Sequence, residues 1–210
     1  ESYIWARIEN FVLYDVVLLV EVLLLPQLFD LSFNNITHLD LARDFGYNIS
    51  ERIRSLMRNP DIKTIVNGKQ IKDRAEALKG ITRTCRMSLN RDKAKSLTIK
   101  QAKAIKNKYD GITLDSYDKI DEITNKYEKQ YILDYYGNPK RLYRLELRLN
   151  NQDVRKISEG LGIAITEDVI YDKERLDALY IQALQSMVRF TDGRKKLDWQ
   201  MLFDCNLRYR

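Results

Sequence analysis

The sequence predicts an α+β protein: a central antiparallel sheet backed by helices, with helical segments at both its N- and C-terminal ends. Three observations carry that expectation. Residues 36–45 (ITHLDLARDF), 112–119 (ITLDSYDK) and 142–150 (LYRLELRLN) alternate apolar with polar or charged residues, the period of a strand. Apolar residues at helical spacing lie before the first run and after the last. Turn signals at Asn67-Gly68, Tyr109-Asp110-Gly111 and Tyr136-Gly137-Asn138-Pro139 punctuate the chain between them. With 210 residues, 44% of them hydrophobic, the chain is long enough to bury a sizeable core. Residues 1–150 are expected to carry the sheet and residues 151–210 to form a helical extension.

In chain order, Ile4, Ile8, Val12, Tyr14, Leu18, Val22 and Leu25 sit at helical spacing and predict an amphipathic to buried helix ending at Pro26. Its apolar stretch follows Asp15 and is interrupted by Glu21, so it falls short of a membrane span and reads as buried in protein. A first strand is expected at 32–45. Ser50 then suits the N-cap of a short helix running to Arg58 and broken at Asn59-Pro60. Thr64-Ile65-Val66, Asn67-Gly68 and Lys69-Gln70-Ile71 make a compact hairpin signal. Residues 81–99 alternate well enough for one or two strands, interrupted near Asn90-Arg91-Asp92. After the tyrosine-bearing strand, Ile120, Ile123, Tyr127 and Tyr131 line one face of a helix. Beyond 150 the chain reads as helical throughout, with Val154 and Ile157 in a short helix and Leu176 to Phe190 in a longer one.

The formal net charge is +6, but residues 51–110 hold 17 Lys or Arg against 6 Asp or Glu, leaving about −5 elsewhere. Between Lys79 and Lys108 there are ten cations and one acid, Asp92. That is the footprint of a surface facing a polyanion, although a solvated charged face has the same composition. Arg83, Arg86, Arg91, Lys93, Lys95 and Lys100 are the candidate DNA contacts in it, with Arg144 from the third strand. Cys85 and Cys205 are 120 positions apart and suggest neither a disulfide framework nor a zinc site, which fits a reducing cytoplasm. No phosphate loop of the GxxxxGK[ST] type and no GxGxxG is present, which argues against a nucleotide-driven motor.

Strand alternation groups the chemistry. It puts His38, Asp40 and Asp44 on one face of the first strand, Asp115, Tyr117 and Lys119 on one face of the second, and Arg144, Glu146 and Arg148 on one face of the third. If the three strands share a sheet, that face suits metal-assisted phosphodiester chemistry. Carboxylates among apolar strand residues are costly unless paired or bound to a cation. Asp40, Asp44 and Glu146 therefore have two readings: oxygen ligands for Mg2+ or Mn2+, or partners of Arg43, Arg144 or Arg148. His38 is the only histidine, so a mechanism needing two histidine ligands is excluded. Tyr117 is the candidate nucleophile. A phenol has an ordinary pKa of about 10, and Lys119 on the same face supplies a field that favours its ionisation. Tyr127 and Tyr131, one helical turn apart, form a rival pair, with plain core packing as the simpler reading.

At these residues the chain resembles the rolling-circle replication initiators of small plasmids, the replication initiation factor or Rep_trans family, which includes relaxases of some conjugative elements. Thr37-His38-Leu39-Asp40-Leu41-Ala42-Arg43-Asp44 is similar to that family's T-R-[IL]-D-[IL]-A-x-D block, with His38 in place of Arg. Tyr117-Asp118-Lys119 with Glu122 resembles its Y-[DN]-K-x-x-E block, and Tyr143-Arg144-Leu145-Glu146-Leu147 its W/Y-R-[IV]-E-[IL] block. The resemblance implies a permuted HUH-endonuclease type of fold and metal-dependent nicking and joining of DNA through a 5′-phosphotyrosine on Tyr117. It also implies Mg2+ or Mn2+ held by Asp40, Asp44 and Glu146, and a single-stranded or hairpin origin as substrate. A host helicase and a second copy of the chain are the candidate protein partners, and no membrane is expected. Two other readings share the composition: a non-catalytic DNA-binding protein on the same scaffold, and an interaction module whose basic region meets an acidic protein.

Overall fold

The structure, a computed structural model, describes residues 4–71, 85–89, 96–101, 111–126 and 129–204. It is an α+β protein with two antiparallel sheets. Five strands form the larger in the order β1-β7-β6-β5-β4: His38–Phe45, Tyr143–Asn150, Thr113–Asp118, Leu97–Gln101 and Cys85–Leu89. Four form the smaller in the order β3-β2-β8-β9: Lys69–Gln70, Ile62–Val66, Val188–Asp192 and Lys195–Lys196. The helices are α1 (Val16–Leu28), α2 (Ile49–Arg58), α3 (Lys119–Lys126), α4 (Gln130–Tyr135), α5 (Asn151–Leu161), α6 (Lys173–Met187) and α7 (Trp199–Phe203). Among the described residues no helix is long and apolar enough to cross a membrane.

The chain divides into two compact units, residues 1–34 with 120–140, and residues 35–119 with 141–210. The larger unit holds both sheets, so residues 151–210 complete its core rather than stand apart as an extension. Leu41, Phe45, Ile99, Leu114, Leu145 and Leu147 bury the inner face of the large sheet, and Ile62, Val66, Val188 and Phe190 that of the small one. Helices α2 and α6 pack against strands of both sheets, so the two inner faces share one core and the two outer faces turn away from it. An aromatic chain ties the sheets together: Phe45, Phe203, Trp199 and Phe190 follow one another at ring separations of 5.2, 5.7 and 5.7 Å. The buried Tyr180 hydroxyl donates to the Leu145 carbonyl at 2.9 Å, pinning α6 to the interior strand β7.

Local chemistry explains most element ends. Helix α2 is capped by Asn48, whose side chain accepts from the Glu51 amide, and not by Ser50 as expected. Ser50 instead lies fully buried, its hydroxyl 2.6 Å from that of Ser116. In α5 Asn150 and Asp153 form a reciprocal capping box and Gly162, at φ +66°, ends the helix in the left-handed region. Asn67 and Gly68, both at positive φ, make the β2–β3 turn that the Asn-Gly pair announces.

Three expectations are corrected. The first strand starts at His38, not near residue 32. The N-terminal apolar run is a 3-10 turn, Asn10–Tyr14, followed by α1, which passes through Pro26, and no residue of α1 is buried. Pro26 removes the bond its amide would give to the Val22 carbonyl, and the helix ends two residues later at Leu28. The smaller unit packs instead on Val12, Ile123 and Ile132, with Tyr14 edge-on to Tyr131 and Tyr135. Finally, the C-terminal third is not all helix. α6 stops at Met187, and Val188–Asp192 turns at Gly193 into β9, a hairpin that joins β2 and β3 to make the second sheet.

Candidate functional site

The three charged strands are neighbours, in the order β1-β7-β6, and their outward positions form one polar face. Register sets the pairs: Asp40 lies opposite Arg148, Asp44 opposite Arg144, Asp115 opposite Glu146, and Tyr117 opposite Arg144. The expected clustering of His38, Asp40, Asp44, Asp115, Tyr117, Arg144, Glu146 and Arg148 on one side of one sheet is thus present. His38 sits exposed at the end of β1, opposite Asn150.

Tyr117 is the centre of the arrangement. Its hydroxyl donates to Glu146 Oε2 at 2.8 Å. The other Glu146 oxygen accepts from Arg148 Nε at 3.0 Å, and Arg148 also reaches Asp115 at 3.2 Å. Asp115 in turn accepts from the Thr98 hydroxyl at 2.6 Å. Asp115 and Glu146 face each other directly across β6 and β7, where two carboxylates repel; the Arg148 guanidinium between them removes that cost. Burial pushes the Glu146 carboxyl up, but the hydrogen bonds from Tyr117 and Arg148 outweigh it and hold the group below the ordinary carboxylate value. Burial likewise pulls Arg148 down while its bond to Glu146 and the charges of Asp115 and Asp40 raise it above the usual arginine range.

Lys119 enters where β6 becomes α3. Its backbone amide donates to the Leu142 carbonyl at 2.8 Å, which fixes the start of the helix beside β7. The residue is 2% exposed, and its ammonium lies 5.4 Å from the Tyr117 ring centroid, within cation–π range. A buried cation beside a phenol offsets negative charge that develops on its oxygen as the proton leaves.

The metal expectation fares differently. Asp44 gives both carboxylate oxygens to Arg144, at 2.7 and 2.6 Å, in a pair buried on both sides. Glu146 is engaged by Tyr117 and Arg148, and Asp40 faces Arg148. Among the described residues no three acidic, histidine or cysteine side chains converge to hold a metal ion. The carboxylates of this face therefore do not fit a Mg2+ or Mn2+ centre as arranged.

Of the expected DNA contacts, Arg144 is 6% exposed with its guanidinium held by Asp44. Lys100 is exposed on the polar face at β5, opposite Thr113. Arg86 stands opposite Lys100 in the β4–β5 register. Arg83, Arg91, Lys93 and Lys95 lie outside the described residues, as does Tyr127 of the rival tyrosine pair. Tyr131 packs on Tyr14. Sequence reading placed Asp115 and Arg148 on this face without giving either a role, and it did not single out Thr98. The usable signal was like charge at Asp115 and Glu146, which demands a cation between them once β6 and β7 are paired. Compared with known proteins, no family model matches the chain, and no curated protein or solved structure shows significant similarity to it.

Proposed function

We propose that this chain nicks and joins DNA through Tyr117, in the manner of a replication initiator or relaxase of a plasmid, phage or mobile element. One observation supports it above the rest: a half-buried tyrosine donating to an ionised carboxylate at 2.8 Å while a buried lysine lies against its ring. In the reaction, the Tyr117 hydroxyl oxygen attacks the scissile phosphorus and its proton passes to Glu146. A phosphorus–oxygen bond forms to tyrosine, and the bond to the 3′ oxygen breaks. That oxygen takes up a proton and leaves as a 3′-hydroxyl, with the 5′-phosphate held on Tyr117. One phosphoester replaces another, so the broken strand remains stored for religation. Lys119 and Arg148 are the cations placed to offset charge gathering on the phosphate. The fold this reading implies is of the HUH-endonuclease type.

A second reading has an observation of its own. The carboxylates of the polar face are matched by guanidinium groups, as they would be in a scaffold that binds DNA without cutting it. Incubation with a pool of short single-stranded oligonucleotides, followed by a denaturing gel and mass spectrometry, separates the two. An adduct on Tyr117 that Tyr117→Phe abolishes supports nicking. Binding without any adduct leaves the non-catalytic reading.

A further inference from the structure

The small sheet has an outer face of a different kind. Strand parity and register put Gln70, Ile65 and Arg189 in one row across β3, β2 and β8, and Lys63, Thr191 and Lys196 in the next across β2, β8 and β9. Lys63, Arg189 and Lys196 are exposed, and among the described strand residues no acid shares that face. Residues 62–70 and 188–196, which hold all four strands, carry six cations, Lys63, Lys69, Arg189, Arg194, Lys195 and Lys196, against Asp192 alone. All six are exposed, and among the described residues none forms an ion pair; Lys196 donates to the neutral Gln185 at 3.1 Å.

We propose that this face is a docking surface for the phosphate backbone of duplex DNA, separate from the tyrosine site. Lys63 and Lys196 flank Thr191 in one row and Arg189 lies in the next, diagonal to both at about 7–8 Å, so the three charges form a compact triangle whose long side chains reach neighbouring phosphates. Among the described residues the face carries no aromatic side chain on which an unstacked base would sit, which favours a duplex over a single strand. It offers no side-chain set for reading base edges, so binding is independent of sequence. The surface belongs to a different sheet from the polar face that carries Tyr117. It therefore holds flanking duplex without competing for the strand at Tyr117, and the inference stands whether or not Tyr117 is a nucleophile.

The test is binding of a random-sequence duplex, followed by anisotropy across a potassium chloride series. Lys63→Gln/Arg189→Gln/Lys196→Gln should lower affinity roughly tenfold or more and reduce the slope of log K against log salt by about 2 to 3. A control, Arg155→Gln/Lys156→Gln/Lys173→Gln, removes the same charge from exposed helix positions and should change the slope by less than about 1. Thermal melts of both variants establish that each is folded. An unchanged slope in the sheet variant, equal losses in the two variants, or binding to anionic vesicles in place of duplex overturns the proposal. The adduct assay on Tyr117 is read separately, so the failure of one reading is not the failure of the other.

Discussion

The two sheets turn outer faces of opposite electrostatic character to solvent. On the large sheet Arg144 is locked to Asp44, and Arg148 to Glu146 and Asp115. On the small sheet Lys63, Arg189 and Lys196 project beside Gln70, Ile65 and Thr191, with no acid among the described residues of their face. Paired charges have fields that cancel within a few ångströms, whereas like charges add and act out to a Debye length of about 8 Å in physiological salt. The first arrangement fixes side chains for local chemistry. The second gathers a polyanion from a distance. The same backbone geometry serves both, and what differs is whether an acid stands opposite each base.

The sharpest way to break this comparison is Tyr117→Phe. It should remove all covalent adduct while leaving duplex affinity within about twofold, because the hydroxyl it deletes belongs to the large sheet alone. Adduct formation surviving the change would move the chemistry elsewhere.

Next in size is the buried pair. Arg144→Ala takes the buried guanidinium away from Asp44 and should destabilise the larger unit by about 3–5 kcal/mol, while the double change Arg144→Met/Asp44→Asn should cost less. Equal losses in a urea unfolding series would mean that the pair is not coupled.

Glu146→Gln should slow adduct formation by about 100-fold or more if the carboxylate takes the tyrosine proton. Its pH dependence has a definite sign. Because the folded carboxyl titrates below its ordinary value of 4.5, Glu146 stabilises the fold above that pH, and the contribution is lost as pH falls through the folded value. The wild-type rate should therefore stay level from neutrality into mild acid and drop only on the acid side, and the glutamine variant should lack that acid limb. A rate rising tenfold per pH unit through neutrality would point to free phenolate and remove Glu146 as base.

The smallest expected effect is chelation. With Asp44 and Glu146 held by arginine, EDTA should leave the adduct yield within about twofold, and a strict requirement for added Mn2+ would show that these carboxylates rearrange on binding DNA.

The polar face was legible in the sequence because charged residues alternating with Leu and Ile fix strand faces without any knowledge of the neighbours. Which acid meets which base was not legible, since that follows from the β1-β7-β6 order and a register spanning more than a hundred residues. This is why Asp44 read equally as a ligand and as an arginine partner. The small sheet was half legible. Asn67-Gly68 announces β2 and β3, but Val188-Arg189-Phe190 continues a helical apolar pattern from Leu176 and reads as the end of that helix, although Thr191-Asp192-Gly193 follows it. Its alternation and the Asp-Gly pair were the signal for a hairpin. Apolarity also misread α1: composition tells that a run avoids water, not what it packs against.

The central claim is that the two faces do separable work, and the most direct measurement crosses the two variants with the two readouts. Tyr117→Phe and Lys63→Gln/Arg189→Gln/Lys196→Gln are each scored for adduct yield on a saturating single-stranded oligonucleotide and for the salt slope of duplex binding. The account predicts that the first loses only the adduct and the second only the slope. If each variant lowers both, the faces form one site and the division drawn between them is wrong.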